Sequence, residues 1–282
     1  RLADGKWWGI DPKGRGFLFK AVQSAHVNGC NDFLTNRRPY QILNRRRWPS
    51  TAAWETNCIE RLQGWGFNML GQGCAPTMAH RGLVHARQLD LGFSFANLED
   101  PDCAIVVYRG RDNACSSFPN VFSPAFADHC RRRAAELCAP SREDPWLVGW
   151  YLDNELLWRG DLKINCNPRS TGIYETVVRL PKTHSARQSL DAYLAERGWK
   201  PGMAVTLELK KGFLMRAAEK YFSITTAAVR EADPNHMILG CRFPGIDRAC
   251  DEVWAKFLPA YFDTDDEAVL RPLKGGIAVR QQ

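Results

Sequence analysis

The residues best able to do chemistry stand together behind one apolar run. Trp146 to Leu152 suits a buried strand, and it ends in Asp153, Asn154 and Glu155, with Trp158 just beyond. Polar side chains directly behind a buried strand are costly unless they are hydrogen-bonded or used. A turn in which Asp153 and Asn154 bond local amides accounts for them without chemistry. The chemical reading needs one carboxyl whose proton affinity is raised by partial burial, so that it can give and take a proton near neutral pH. Trp150 and Trp158 fit a core, or they fit a flat platform for the apolar face of a sugar ring.

Other chemistries find little support. No G-x-G-x-x-G or G-x-x-x-x-G-K-[ST] follows a strand-like run, which argues against a nucleotide site. The ten cysteines form no C-x-x-C pair, so a zinc ribbon is not expected. Cys103 and Cys115 flank a polar loop and could pair. The net charge of +7 is spread over short runs such as Arg45 to Arg47 and Arg131 to Arg133. A nucleic-acid binder would carry a denser stripe and a reading motif, so no nucleic-acid partner is expected. No window reaches the length of an apolar membrane span. At 45% hydrophobic and 24% charged residues over 282, the composition is that of a globular protein with a sizeable core.

The elements that must position Glu155 read as strands and helices in alternation. Lys6 to Phe17 predicts a hairpin around Pro12, Lys13 and Gly14. Phe17 to Ala25 predicts a buried strand, and residues 28 to 50 a long polar loop. Ser50 caps a helix ending near Gly64. Phe67 to Gly71 is a short apolar run, Met78 to Arg87 a weak helix, and Leu89 to Ala96 a strand. Ser123 and Pro124 open a helix to about Cys138. Residues 160 to 211 read as an insertion with a helix near Ser185 to Glu196. A helix from Gly212 to Glu231 and a strand from Met237 to Cys241 follow. This order implies an α/β fold with a parallel sheet. The favoured architecture is a (β/α)8 TIM barrel, with a doubly wound open sheet as the alternative, in one domain spanning 1–282 with an N-terminal hairpin at about 4–17.

With those residues on the page, a family resemblance follows. Gly149 to Glu155 resembles the acid/base motif of clan A glycoside hydrolases, in which an Asn-Glu pair ends strand four of a TIM barrel. Asp4 to Trp8 with Asp11 to Gly14, Phe118 to Phe122, and Asp233 to Arg242 are similar to a bacterial branch related to β-agarases. The resemblance implies that Glu155 is the general acid/base and that Asn154 bonds the sugar 2-hydroxyl. It places Arg242 at a polar site position and Trp158 and Trp150 at subsite walls. His26 and Gln72, at the ends of strands one and two, would line the cleft. It further implies retaining hydrolysis of a β-linked polysaccharide or oligosaccharide, such as an agarose-type galactan. No metal or organic cofactor is required. The positive charge would suit a sulfated galactan, and such a substrate suits a secreted or periplasmic compartment.

The C-terminal part departs from that pattern. A retaining mechanism needs a second carboxylate about 5–5.5 Å from the first, and the clan supplies a Glu at the end of strand seven. Ala249 to Phe257 could be strand six. The segment from Leu273 to Val279 is the candidate for strand seven, and it holds no carboxylate. No strand eight precedes Gln282. The alternative is therefore an inactive carbohydrate-binding barrel, or a truncated enzyme without its nucleophile. No Asp or Glu from 246 to 282 is expected to reach the retaining distance from Glu155.

Overall fold

The computed structural model describes residues 2–3, 6–7, 9–10, 13–30, 32, 35, 37–107, 117–158, 172–243, 253 and 256–257. In chain order the strands are β1 Leu2–Ala3, β2 Lys6–Trp7, β3 Gly9–Ile10, β4 Gly16–Phe17, β5 Ala21–Val22, β6 Met69–Leu70, β7 Val84–Gln88, β8 Ala104–Val106, β9 Phe118–Pro119, β10 Leu147–Asn154 and β11 Met237–Arg242. The helices are α1 Pro39–Arg47, α2 Thr51–Gly64, α3 Leu91–Ala96, α4 Ala125–Leu137, α5 Tyr174–Val177, α6 Ser185–Glu196 and α7 Leu207–Ala232. The chain falls into two compact units, one of Arg1–Gln88 with Glu143–Trp150, the other of Leu89–Arg142 with Tyr151–Gln282. β10 begins in the first and ends in the second.

In the first unit β5, β6 and β7 pair in parallel, with Ala21 opposite Met69 and Leu70 opposite His85. The start of β10 lies beside β7, where the His85 N–H donates to the Trp146 carbonyl at 2.8 Å. Parallel strands need crossover connections, and α2 provides one between β5 and β6. Its N-terminus forms as expected, because the Ser50 hydroxyl accepts from the Ala53 N–H. Cys58, Ile59 and Leu62 on its inner face join Leu70, Met78 and Leu83 in one core cluster. Glu55 is buried on the same helix, and Arg81 reaches it at 3.2 Å. The expected hairpin is present, as β3 pairs antiparallel with β4.

In the second unit the end of β10 lies beside β11. β8 and β9 form a separate antiparallel pair. The long helix α7, capped by Thr206, buries Phe213, Ala217, Tyr221, Phe222 and Val229 along one stripe. Phe126 and Cys130 of α4 are fully buried in the same unit.

Four sequence expectations are corrected. Residues 39–47 form α1 inside the expected loop; Pro39 fits the first helical turn, but none of its residues is buried, so no apolar period announced it. Met78 to Arg87 is no helix: a short 3-10 turn at Pro76–Met78 precedes β7. Leu89 to Ala96 is no strand, since Leu91–Ala96 is α3. Val253, Lys256 and Phe257 are helical where a sixth strand was expected. The candidate seventh strand, Leu273 to Val279, lies outside the described residues, as does Cys115, while Cys103 is a free thiol. Among the described residues the strands do not close into a barrel; the α/β class with a parallel sheet holds. No described helix is long and apolar enough to cross a membrane.

Candidate active site

Asn154 is the last residue of β10, and Glu155 follows it immediately. In parallel α/β folds this carboxyl end is where the chain turns away from the sheet and where functional groups gather. Glu155 takes a left-handed conformation, φ 50°. A non-glycine residue there is held against a steric penalty, and such positions cluster at functional sites. The Glu155 N–H donates to the carbonyl of Arg242, the last residue of β11, at 2.9 Å. The neighbouring strand therefore locks the strained turn.

The side chains converge as well. Arg242 donates from Nη1 to Asn154 Oδ1 at 2.5 Å. Glu155 is half-buried, and that burial raises its pKa above the ordinary carboxylate value while the Arg242 charge pulls it back. A carboxyl placed between these two influences can exchange protons closer to neutrality than an exposed one.

Beneath this pair lies an anchor that the sequence did not announce. Asp153 is fully buried. Its carboxylate accepts from the Gly92 N–H at 2.7 Å, the Phe93 N–H at 2.8 Å and the Tyr221 hydroxyl at 2.6 Å. Those two amides belong to the first turn of α3, whose own N-cap residue, Asp90, makes no side-chain cap bond. A residue of β10 thus satisfies the orphan donors of another element. Burial pushes the Asp153 pKa up to about 7, against the pull of Tyr221 and the two amides. The adjacency of Asp153 to Glu155 was the only hint in the sequence.

The remaining expected site residues are placed differently. Trp150 and Trp158 are both 0% exposed. Trp158 packs edge-on against Phe118 and Tyr221 at 4.9 and 5.4 Å and stacks on Phe222 at 5.7 Å. Arg87 lies over the Trp150 ring at 5.3 Å. Neither indole offers a free face to a sugar, so both are corrected from platforms to core; the bland alternative for these two residues is the right one. His26 and Gln72 belong to the first unit, whereas Asn154, Glu155, Arg242 and Trp158 belong to the second. His26 is half-buried, and its Nδ1 accepts from the Gly29 N–H at 3.2 Å. The Gln72 carbonyl accepts from the Ser24 N–H. Within the second unit the structure brings together Asn154, Glu155 and Arg242, over Asp153. Among the described residues one trio of potential metal ligands gathers, His80, His85 and Asp144, in the first unit.

No protein-family profile matches the chain. Two curated proteins of Vibrio sp. (strain JT0107) are similar to it. β-Agarase A is 24% identical over 238 residues, covering 74% of this chain and 23% of the relative. β-Agarase B is 22% identical over 228 residues, covering 67% and 22%. The chain thus spans about a quarter of the length of these relatives. Among solved structures, an exo-β-agarase superimposes with TM-score 0.65 at 16% identity, over 93% of this chain and 48% of that one. The agarase AgWH50C gives TM-score 0.63 at 19% identity, over 90% and 43%. The chain is related in sequence to β-agarases and shares the fold of these structures.

Proposed function

We propose that this chain carries the acid/base half of a retaining glycoside hydrolase site acting on a β-linked galactan. The observation that carries the reading is Glu155 itself: a half-buried carboxyl in strained backbone at the carboxyl end of β10, tied to Arg242 and next to Asn154. The similarity to β-agarases supports a saccharide substrate of the agarose kind.

In this mechanism Glu155 protonates the glycosidic oxygen as the bond to the anomeric carbon breaks, while a second carboxylate attacks that carbon. Glu155 then removes a proton from the water that releases the sugar. Asn154, oriented by Arg242, presents its amide to the sugar 2-hydroxyl. The alternation of strands and helices supports a (β/α)8 barrel as the frame, with Glu155 on its functional rim.

A second reading is favoured by one feature of the sequence: Leu273 to Val279, the segment that would bring the nucleophile, has no Asp or Glu. On that reading the chain holds saccharide without cleaving it. Release of reducing ends from agarose separates the two. For a hydrolase, Glu155→Gln should lower turnover by ~10²–10⁴-fold, the usual worth of general acid–base help, with folding and oligosaccharide binding retained. Turnover unchanged in Glu155→Gln rules the residue out as the acid. Binding without turnover in the unaltered chain selects the second reading.

A further inference from the structure

His80, His85 and Asp144 come from separate stretches of the first unit. His80 precedes β7 and takes a left-handed φ of 63°. His85 is the second residue of β7, and Asp144 stands shortly before β10. The three meet nevertheless. Asp144 Oδ2 lies 2.7 Å from His80 Nε2 and 3.1 Å from His85 Nε2, and the three donor atoms all fall within 4.8 Å of one another. The two imidazoles stand edge to face, 5.4 Å between centroids. The carboxylate is oriented from behind, because its other oxygen accepts from the Trp146 N–H at 2.9 Å.

We infer that His80, His85 and Asp144 form a binding site for a divalent transition-metal ion, with zinc the preferred occupant. Two imidazole nitrogens and one carboxylate oxygen are the donor set that suits zinc, and harder ions such as calcium and magnesium prefer oxygen alone. Tetrahedral zinc holds such donors ~3.3–3.5 Å apart, so the two contacts to Asp144, now 2.7 and 3.1 Å, must open by less than about 1 Å. His80 can supply that movement, since its side chain is 56% exposed, against 7% for His85 and 13% for Asp144. A water on the solvent side of His80 would complete a four-coordinate set.

For His85 and Asp144 the surroundings push in the direction that metal binding favours. His85 titrates below its ordinary value, chiefly because burial disfavours its charged form, with Asp144 pulling the other way. For Asp144, burial pushes upward, but the bonds from His80, the Trp146 amide and His85 outweigh it and hold the carboxyl low. A neutral imidazole and an ionised carboxylate are the liganding forms. Binding would exchange the protons now shared among the three groups for one metal ion. It would tie the segment before β7 to the segment before β10, independently of any role of Glu155.

The test uses the whole chain, stripped with a chelator and titrated with zinc chloride. One tightly bound zinc per chain is expected, with a raised unfolding midpoint. Cobalt(II) as a substitute should give a spectrum without thiolate charge-transfer bands, because no cysteine belongs to the set. His80→Ala removes an exposed ligand at little cost to folding. Asp144→Asn keeps the acceptor for the Trp146 N–H. Each should weaken zinc binding by more than the ~10–100-fold that loss of an outer-shell partner costs, and the zinc-dependent rise in midpoint should vanish. Equal zinc binding by the unaltered chain and both variants, a thiolate band with cobalt, or no zinc binding by the unaltered chain would each overturn the inference. The last result would leave the trio as a hydrogen-bonded clasp.

Discussion

Removing the Tyr221 hydroxyl should damage this protein in a way that depends on pH, and the dependence follows from Asp153. Tyr221 donates to Asp153 Oδ2 at 2.6 Å, and both residues are fully buried. The Asp153 pKa rises from 3.8 to about 7 in the folded chain, burial being the largest cause. At ~1.36 kcal/mol per pH unit that interval is worth about 4 kcal/mol. The sign is fixed by proton uptake. Between pH 3.8 and about 7 the folded chain binds the Asp153 proton more tightly than the unfolded chain. Stability from this group is therefore full below 3.8, declines as pH rises toward about 7, and is level above that.

Tyr221→Phe deletes one donor and leaves the ring in place. Where Asp153 is ionised the lost bond is charge-assisted, worth ~1.5–3 kcal/mol; where it is neutral the bond is worth ~0.5–1.5 kcal/mol. The substitution should thus cost about 1–2 kcal/mol more at pH ~8 than at pH ~5, and it should push the Asp153 pKa higher still. Urea unfolding followed by tryptophan fluorescence measures this, with Trp158 in edge contact with the Tyr221 ring as reporter. Comparing variant and parent at each pH cancels every other titrating group. An equal loss at the two pH values, or a larger loss at the lower one, would refute the argument, because Asp153 would then not change charge between them.

Gly92→Ala should destabilise the same anchor by about 1–3 kcal/mol, the usual cost of overpacking, since a Cβ at that position would stand 2.9 Å from Pro119 Cγ and 3.0 Å from Asp153 Oδ2; the urea midpoint checks it. Arg242→Gln removes the charge that holds Glu155 down against burial, so the Glu155 pKa should rise. A carbon-13 titration of the Glu155 carboxyl would register that rise, and in an active enzyme the alkaline limb of kcat/KM should move to higher pH.

What the sequence determined by itself is what local chemistry determines. Ser50 opens α2 because its hydroxyl satisfies a first-turn amide, and the helix ends at the expected Gly64, with Gly66 taking the left-handed turn just beyond. α6 forms over the expected Ser185–Glu196, with the His184 ring accepting from the Ala186 N–H at its start. The apolar run into Asn154 makes β10, and that suffices to set Glu155 at a strand's carboxyl end.

Tertiary structure decided the rest, wherever a residue's state depends on a distant partner. Leu91, Phe93 and Phe95 alternate as a strand would, yet the Asp153 carboxylate, some sixty positions away, satisfies the first amides of α3 and makes it a helix. Trp150 and Trp158 have the composition of a sugar platform, but Phe118, Tyr221 and Phe222 close around Trp158, and Arg87 covers Trp150. An indole's role depends on which faces stay open, and its own position in the chain does not encode that. His80, His85 and Asp144 are unremarkable as a sequence pattern, because 59 positions separate His85 from Asp144. They become a set of ligands only when parallel pairing lays the start of β10 beside β7, a long-range contact that no local spacing reports.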